Sequence, residues 1–179
     1  MLDHDTWLKA ESDMSRAIVD GDRELVLSTI RMVLEHGDEE QRGRALMCRG
    51  TVREDENDWV AAATDFEAAI VLLPDASYAR FTAQLSAASA NEHLGNDAAA
   101  ERRTLAALET CAAASEPISG APALRRLFAR PQPVVGEPLA LAKRVARQSW
   151  HVLNLPGEPD LDDMPDTVRR LLDQHSRFR

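Results

Sequence analysis

The sequence predicts an all-α chain of stacked helix-turn-helix repeats closed by a C-terminal helical cap, and three observations carry that expectation. The turn signals Gly21-Asp22, Asn57-Asp58 and Gly95-Asn96 recur 36 and then 38 residues apart, each between stretches with helical apolar spacing. A period in that range marks helical hairpins that bury their apolar faces by stacking on one another. The composition agrees, because only 4% of residues are aromatic while Ala and Leu abound, with 8 Gly and 9 Pro mostly at segment ends. That profile suits helices and argues against an all-β fold. Finally, 44% hydrophobic residues in a chain of 179 can supply the core of one ordinary domain.

The turns place six helices, at 5–19, 22–36, 39–55, 58–73, 76–94 and 97–114. Val26, Ile30 and Val33 form a helical stripe in the second, and Val60, Ala63, Phe66 or Glu67, and Ile70 form one in the fourth. The fifth, carrying Ala79, Phe81, Ala83, Leu85, Ala87, Ala88 and Ala90, reads as a lengthened helix whose alanines permit close contacts. Beyond residue 115 the pattern changes. Ser115–Leu124 and Arg130–Pro138 are punctuated by Pro and Gly and read as loops around a short helix at 121–129. Leu139–Leu153 reads as an amphipathic helix with Leu139, Ala142, Ala146, Trp150 and Leu153 on one side, and Pro165–Ser176 as a terminal helix begun by proline. The chain thus divides into an array, 1–115, and a cap, 116–179, as a repeat stack with an uncovered apolar end requires.

The middle pair, with Leu46, Gly50, Asn57-Asp58-Trp59, Ala62, Phe66, Ala69 and Pro74, resembles the tetratricopeptide repeat at its spacings over about one repeat length. Gly50 and Ala62 would let the two helices approach, Phe66 and Ala69 would fill the next interface, and Pro74 would end the second helix. Leu46 stands where the family often has Trp, and Arg49 and Arg53 occupy positions usually apolar, so the chain reads as a divergent member. The flanking pairs match more weakly.

The resemblance implies a binding mode, in which the first helix of each pair lines a concave groove for a peptide or partner helix. It maps the groove to Leu8, Glu11 and Ser15 in the first pair; Arg44, Met47, Thr51, Glu54 and Asp55 in the second; and Thr82, Leu85, Ser89, Glu92 and His93 in the third. Of these, Glu11, Arg44, Met47, Thr51, Glu54, Asp55, Glu92 and His93 are the expected partner contacts. Glu11, Glu54, Asp55 and Glu92 make the surface acidic. Family members that clamp the C-terminal carboxylate of heat-shock chaperones use Lys, Asn and Arg in such positions, and Met47 and Thr51 do not fit that ligand.

Charge and motifs narrow the function. The formal net charge is −9, which disfavours non-specific binding to nucleic acid or anionic lipid. It is spread unevenly, at −10 over residues 1–76 and +5 over residues 121–155. The basic concentration Arg125, Arg126, Arg130, Lys143, Arg144 and Arg147 has few aromatics beside it and reads as an internal partner for the N-terminal acidic face. No ligand spacing joins His4, His36, His93, His151 and His175, and the acidic run Asp160–Asp166 lacks the glycine of a calcium loop. No metal, cofactor or catalytic residue is expected. The opening MLDHDTWLK does not read as a secretory signal, no apolar run reaches the ~18 residues of a membrane span, and Cys48 and Cys111 stand alone, so a soluble cytoplasmic protein is expected. The expected function is protein binding, with the acidic groove taking a basic segment of another protein in an adaptor, chaperone-like or toxin-neutralising immunity role. The alternative is a hydrolase or transferase whose site is assembled from scattered residues.

Overall fold

The computed structural model describes residues 2–116 and 118–178, and among them there are nine α-helices and no strand. The helices are α1 (His4–Asp20), α2 (Arg23–His36), α3 (Glu39–Asp55), α4 (Trp59–Leu72), α5 (Tyr78–His93), α6 (Asp97–Ala113), α7 (Ala121–Phe128), α8 (Gly136–Val152) and α9 (Met164–His175), followed by a 3-10 turn at Ser176–Phe178.

Local chemistry sets these boundaries. The three periodic turns share one geometry: Gly21, Asn57 and Gly95 all take the left-handed conformation, at φ of 71°, 59° and 71°. Glycine enters that region without a Cβ penalty, and asparagine is among the few other residues that do so readily. The residue after each sends its N–H back to a carbonyl five residues earlier, from Asp22 to Ala17, Asp58 to Arg53 and Asn96 to Asn91. This is the double closure that satisfies carbonyls left open at a helix end. Asp22 and Asp58 then begin the next helix by accepting the N–H groups of Leu25 and Ala61, both at 3.1 Å. Asp38 and Gln41 form a reciprocal capping box at the start of α3. Part of the N-terminal acidity therefore serves helix starts. The Asp3 carboxyl is held below its ordinary pKa by the Thr6 backbone N–H and hydroxyl it accepts.

Two boundaries differ from expectation. The fifth helix is not lengthened: α5 has 16 residues against 17 in α3, and the extra chain lies in the Pro74–Ser77 connection, where Ala76 takes a φ of 57°. α8 begins at Gly136 rather than Leu139, because Pro138 sits in the first turn, where a missing N–H leaves no helical bond unmade.

Neighbouring helices pack in chain order through α6, and α1 also touches α3, and α3 touches α5, so the first helices of the three pairs lie side by side. Gly50 permits the closest approach in the middle pair, since a Cβ there would lie 2.5 Å from Phe66 Cε1. Arg49 and Arg53 occupy their unusual positions because both engage Asp65 of α4, which is 2% exposed: Arg53 forms an ion pair with it at 2.8 Å while donating to the Ala61 carbonyl at 3.1 Å, and Arg49 donates to it at 2.7 and 2.8 Å. These bonds raise the pKa of the Arg49 guanidinium above its ordinary value.

Among the described residues the core falls into three clusters. Trp7, Met14, Val26, Ile30 and Val33 form the first, and Leu46, Phe66, Ile70 and Leu73 the second. The third joins Phe81, Leu108 and Cys111 of α5 and α6 to Leu124, Val145, Trp150 and Leu171 of the last three helices. Trp150 is fully buried, its indole Nε1–H reaches the carbonyls of Pro156 and Gly157 at 3.3 and 3.0 Å, and Arg170 lies 4.5 Å over its ring.

Candidate partner-binding cleft

The side-by-side arrangement of α1, α3 and α5 creates one wall of a cleft, and the chain beyond α6 returns to make the other. Toward the N-terminal ends of α3 and α5 a cavity of about 750 Å³ is lined by Trp7, Glu11, Met14, Ser15, Arg44, Met47, Cys48, Tyr78 and Thr82, together with Asp75–Ser77 and, across from them, Ser115, Glu116 and Ile118. A second cavity of about 560 Å³ follows, lined by Glu54, Thr82, Leu85, Ser86 and Ser89 on one side and by Pro122, Arg125, Arg126, Leu172, Asp173, His175 and Ser176 on the other. Thr82 borders both, so the two form a single course along α5.

The first cavity has an apolar floor and an acidic rim. Trp7, Met14 and Ile118 are buried, Met47 is half-buried, and Tyr78 stands 67% exposed at the lip. Arg44 links two walls of charge, donating to Glu11 of α1 at 3.0 Å and to Glu40 at 3.0 and 3.1 Å. Asp75 pairs with Arg80, and Glu116 is exposed. Among the described residues of the lining, Glu11, Asp75 and Glu116 thus outnumber the one cation, Arg44. The Cys48 thiol is pushed up to about 11 by burial and, secondarily, by the Glu11 charge, so it stays protonated at neutral pH. The opposite wall is fixed in place, since the Cys111 thiol donates to the Ile118 carbonyl at 3.1 Å and the Gly120 N–H donates to Ser149 Oγ at 2.8 Å. Burial pushes that thiol up to about 11 as well.

The second cavity is different in charge. Arg126 of α7 crosses the cleft and pairs with Glu92 of α5, and its positive charge also reaches Glu54 of α3. The Glu54 carboxyl is nevertheless raised above the ordinary range, first by burial and then by the adjacent Asp55 charge, with Arg126 opposing both. The chain's own guanidinium therefore covers the acidic pair at this end.

The expected contacts separate accordingly. Glu11, Arg44 and Met47 meet in the first cavity and Glu54 lines the second, while Glu92 lines an adjoining cavity of about 780 Å³ that shares Arg125 and Arg126 with it, and is paired there with Arg126. Thr51 is half-buried and donates its hydroxyl to the Met47 carbonyl at 3.2 Å. His93 stacks on Trp59 of α4, with centroids 3.8 Å apart and planes 7° from parallel. Asp55 lies apart from the cleft, in a shallow depression of about 210 Å³ with Ala17, Gly21, Arg23 and Val52. Among the described residues, the pairing of the C-terminal basic residues with the acidic surface of residues 1–76 is met only by the charge of Arg126 on Glu54; the direct ion pairs lie elsewhere, Arg126 with Glu92, Arg130 with Glu101 and Lys143 with Asp162. The reason is packing, because α7 and α8 dock on α6 and bring their charges beside the third hairpin and the loop before α9.

Helical spacing did not reveal the parts of the lining that lie outside it, namely Asp75–Ser77 and Ser115, Glu116 and Ile118. Their only sequence signal is that the chain's single tyrosine, Tyr78, follows a proline-led connection directly. Among the described residues, no group of three or more His, Cys, Asp or Glu is placed to hold a metal ion, and no helix is long and apolar enough to cross a membrane. No family model, curated protein or solved structure matches the chain.

Proposed function

We propose that the protein is a tetratricopeptide-like binding module whose cleft takes a basic segment of another protein in its open, N-terminal half. The observation that carries this reading is the first cavity, an apolar hollow bordered by Trp7, Met47 and Tyr78 and rimmed by Glu11, Asp75 and Glu116. Such a site suits a lysine or arginine side chain, whose aliphatic stem packs on apolar surface while its charged head stays at the carboxylates. Tyr78 adds an exposed ring face for a cation. The repeated hairpin turn, the contacts of α1 with α3 and of α3 with α5, and the resemblance of the middle pair support a short right-handed superhelix for residues 1–115, with residues 116–179 as its cap.

Binding rather than catalysis is the activity this arrangement supports best. The cleft's charged groups engage one another, Arg44 with Glu11 and Arg126 with Glu92, and the thiol in its lining is held protonated. Adaptor, chaperone-like and toxin-neutralising roles all use such a surface, and protonated free thiols suit a reducing cytoplasm.

Fluorescence anisotropy with a labelled single-arginine peptide on a Gly/Ser/Leu background tests the reading. Binding should weaken between 0.1 and 1 M salt, as the screening length falls from about 10 to about 3 Å, and should fall by about tenfold or more in the double variant Glu11→Lys, Glu116→Lys. Equal binding of a glutamate-bearing peptide, or an unchanged affinity in the double variant, would contradict it.

A further inference from the structure

The second cavity holds an internal copy of the ligand chemistry. Arg126 projects from the cap across the cleft to Glu92 and lies within electrostatic reach of Glu54, so this end of the course is already built to receive a guanidinium. The pair is not deeply sequestered, with the Arg126 side chain 24% exposed and Glu92 47% exposed. Ion pairs of that exposure are weak enough for a competing cation to replace. Glu54, Glu92 and Asp173 would then keep Arg125 and Arg130 as the permanent cations in the cavities they line, and Arg130 is itself paired with Glu101.

We propose that the protein's ligand is a segment with two cationic side chains, the first seated in the Glu11/Asp75/Glu116 cavity and the second displacing Arg126 from Glu92 and Glu54. The proposal rests on the binding reading above and adds the ligand's pattern and the regulation of the site. Its geometry follows from α3, where the span from Arg44 to Glu54 is about 15 Å at ~1.5 Å per residue. An extended peptide covers that distance in about four or five residues at ~3.3 Å each, which sets the spacing between the two cations. Arg126 then acts as a selectivity filter. A segment with one cation binds the open half alone, whereas the right dibasic segment gains a second anchor only by competing with the cap's arginine.

The test uses full-length protein and labelled nonapeptides on a Gly/Ser/Leu background, carrying one arginine or two at separations from two to eight positions, read by anisotropy. Peptides with arginines four or five apart should bind tightest. Arg126→Ala should strengthen those peptides by about fivefold more than it strengthens single-arginine peptides. Glu92→Gln, in which the cap arginine remains, should erase the gain from the second arginine, and thermal unfolding of each variant confirms that it is folded. Two-arginine peptides that bind no better than single-arginine ones in both wild type and Arg126→Ala would overturn this proposal while leaving the binding reading intact, provided the single-arginine peptides still respond to Glu11→Lys, Glu116→Lys. An Arg126→Ala effect equal for one and two arginines would also overturn it. Absence of binding by every arginine peptide would defeat both.

Discussion

The array and the cap are held together in different ways. From α1 to α5 the chain buries small cores between successive helices, with alanines, Gly50 against Phe66, and the two-arginine clasp on Asp65 setting the approach. From α6 onward the packing is out of chain order: α8 packs on α6, α9 on α7, and a single cluster around Trp150 gathers residues from α5 to α9. The comparison teaches that the cap is not an independent unit laid over the end of the stack. It completes the core of the third hairpin, and in doing so it carries Arg125 and Arg126, with Ser115, Glu116 and Ile118, to the opposite side of the cleft. Stability and the shape of the cleft are therefore decided by the same contacts.

Truncation after Gly136 is the strongest way to break this comparison, because it removes Val145, Trp150 and Leu171 and uncovers Leu108, Cys111 and Leu124. Cooperative unfolding should be lost in calorimetry. A truncated chain that unfolds as sharply as the full one would mean that the array stands alone.

Single side chains sharpen it next. Phe66→Ala and Trp150→Ala should each cost about 3–5 kcal/mol in denaturant unfolding, both rings being almost wholly buried. Hydrogen exchange should separate them: the first change should lower protection mainly in α3–α5, and the second in α6 through α9 together.

Asp65→Asn should destabilise the array by about 2–3 kcal/mol. The value lies below the ~3–5 kcal/mol expected for breaking a fully buried pair, because Arg49 and Arg53 are each 30% exposed and can recover water. An effect under about 0.5 kcal/mol would show that the clasp is ornamental to folding.

The smallest effect belongs to Glu54. Its folded pKa is raised, so the folded state favours the protonated carboxyl, and the resulting stabilisation is present below the ordinary glutamate pKa and lost as pH rises through the raised folded value. Glu54→Gln should therefore remove that pH dependence just above the ordinary range and stabilise the protein at neutral pH, by under about 0.5 kcal/mol. Lower stability of the variant at pH 7 would reverse the sign of the argument.

The sequence made the helices legible because their ends are written in local chemistry. Gly21, Asn57 and Gly95 each close a helix in the left-handed region, and aspartates restart the chain at Asp22 and Asp58, so turn spacing located every hairpin. The meeting of Glu11, Arg44 and Met47 was readable for the same reason, as helical phase places them on first-helix faces. What could not be read depended on contacts between distant segments. Nothing local to Arg49 or Arg53 announces Asp65, and nothing in the periodicity of α7 tells that Arg126 crosses to Glu92. His93 was lost to the cleft by a ring contact with Trp59, and Asp55 by lying one position beyond Glu54, a turn of about 100° around the helix.

The most direct test of the two-walled cleft is a ¹H–¹⁵N correlation titration of full-length protein with an arginine peptide. Shifted amides should cluster on both walls of the first cavity, at Glu11, Met47, Tyr78 and Thr82 on one side and at Ser115, Glu116 and Ile118 on the other. Shifts confined to the outer helices α2 and α4, or to the exposed surface of α8, would contradict it.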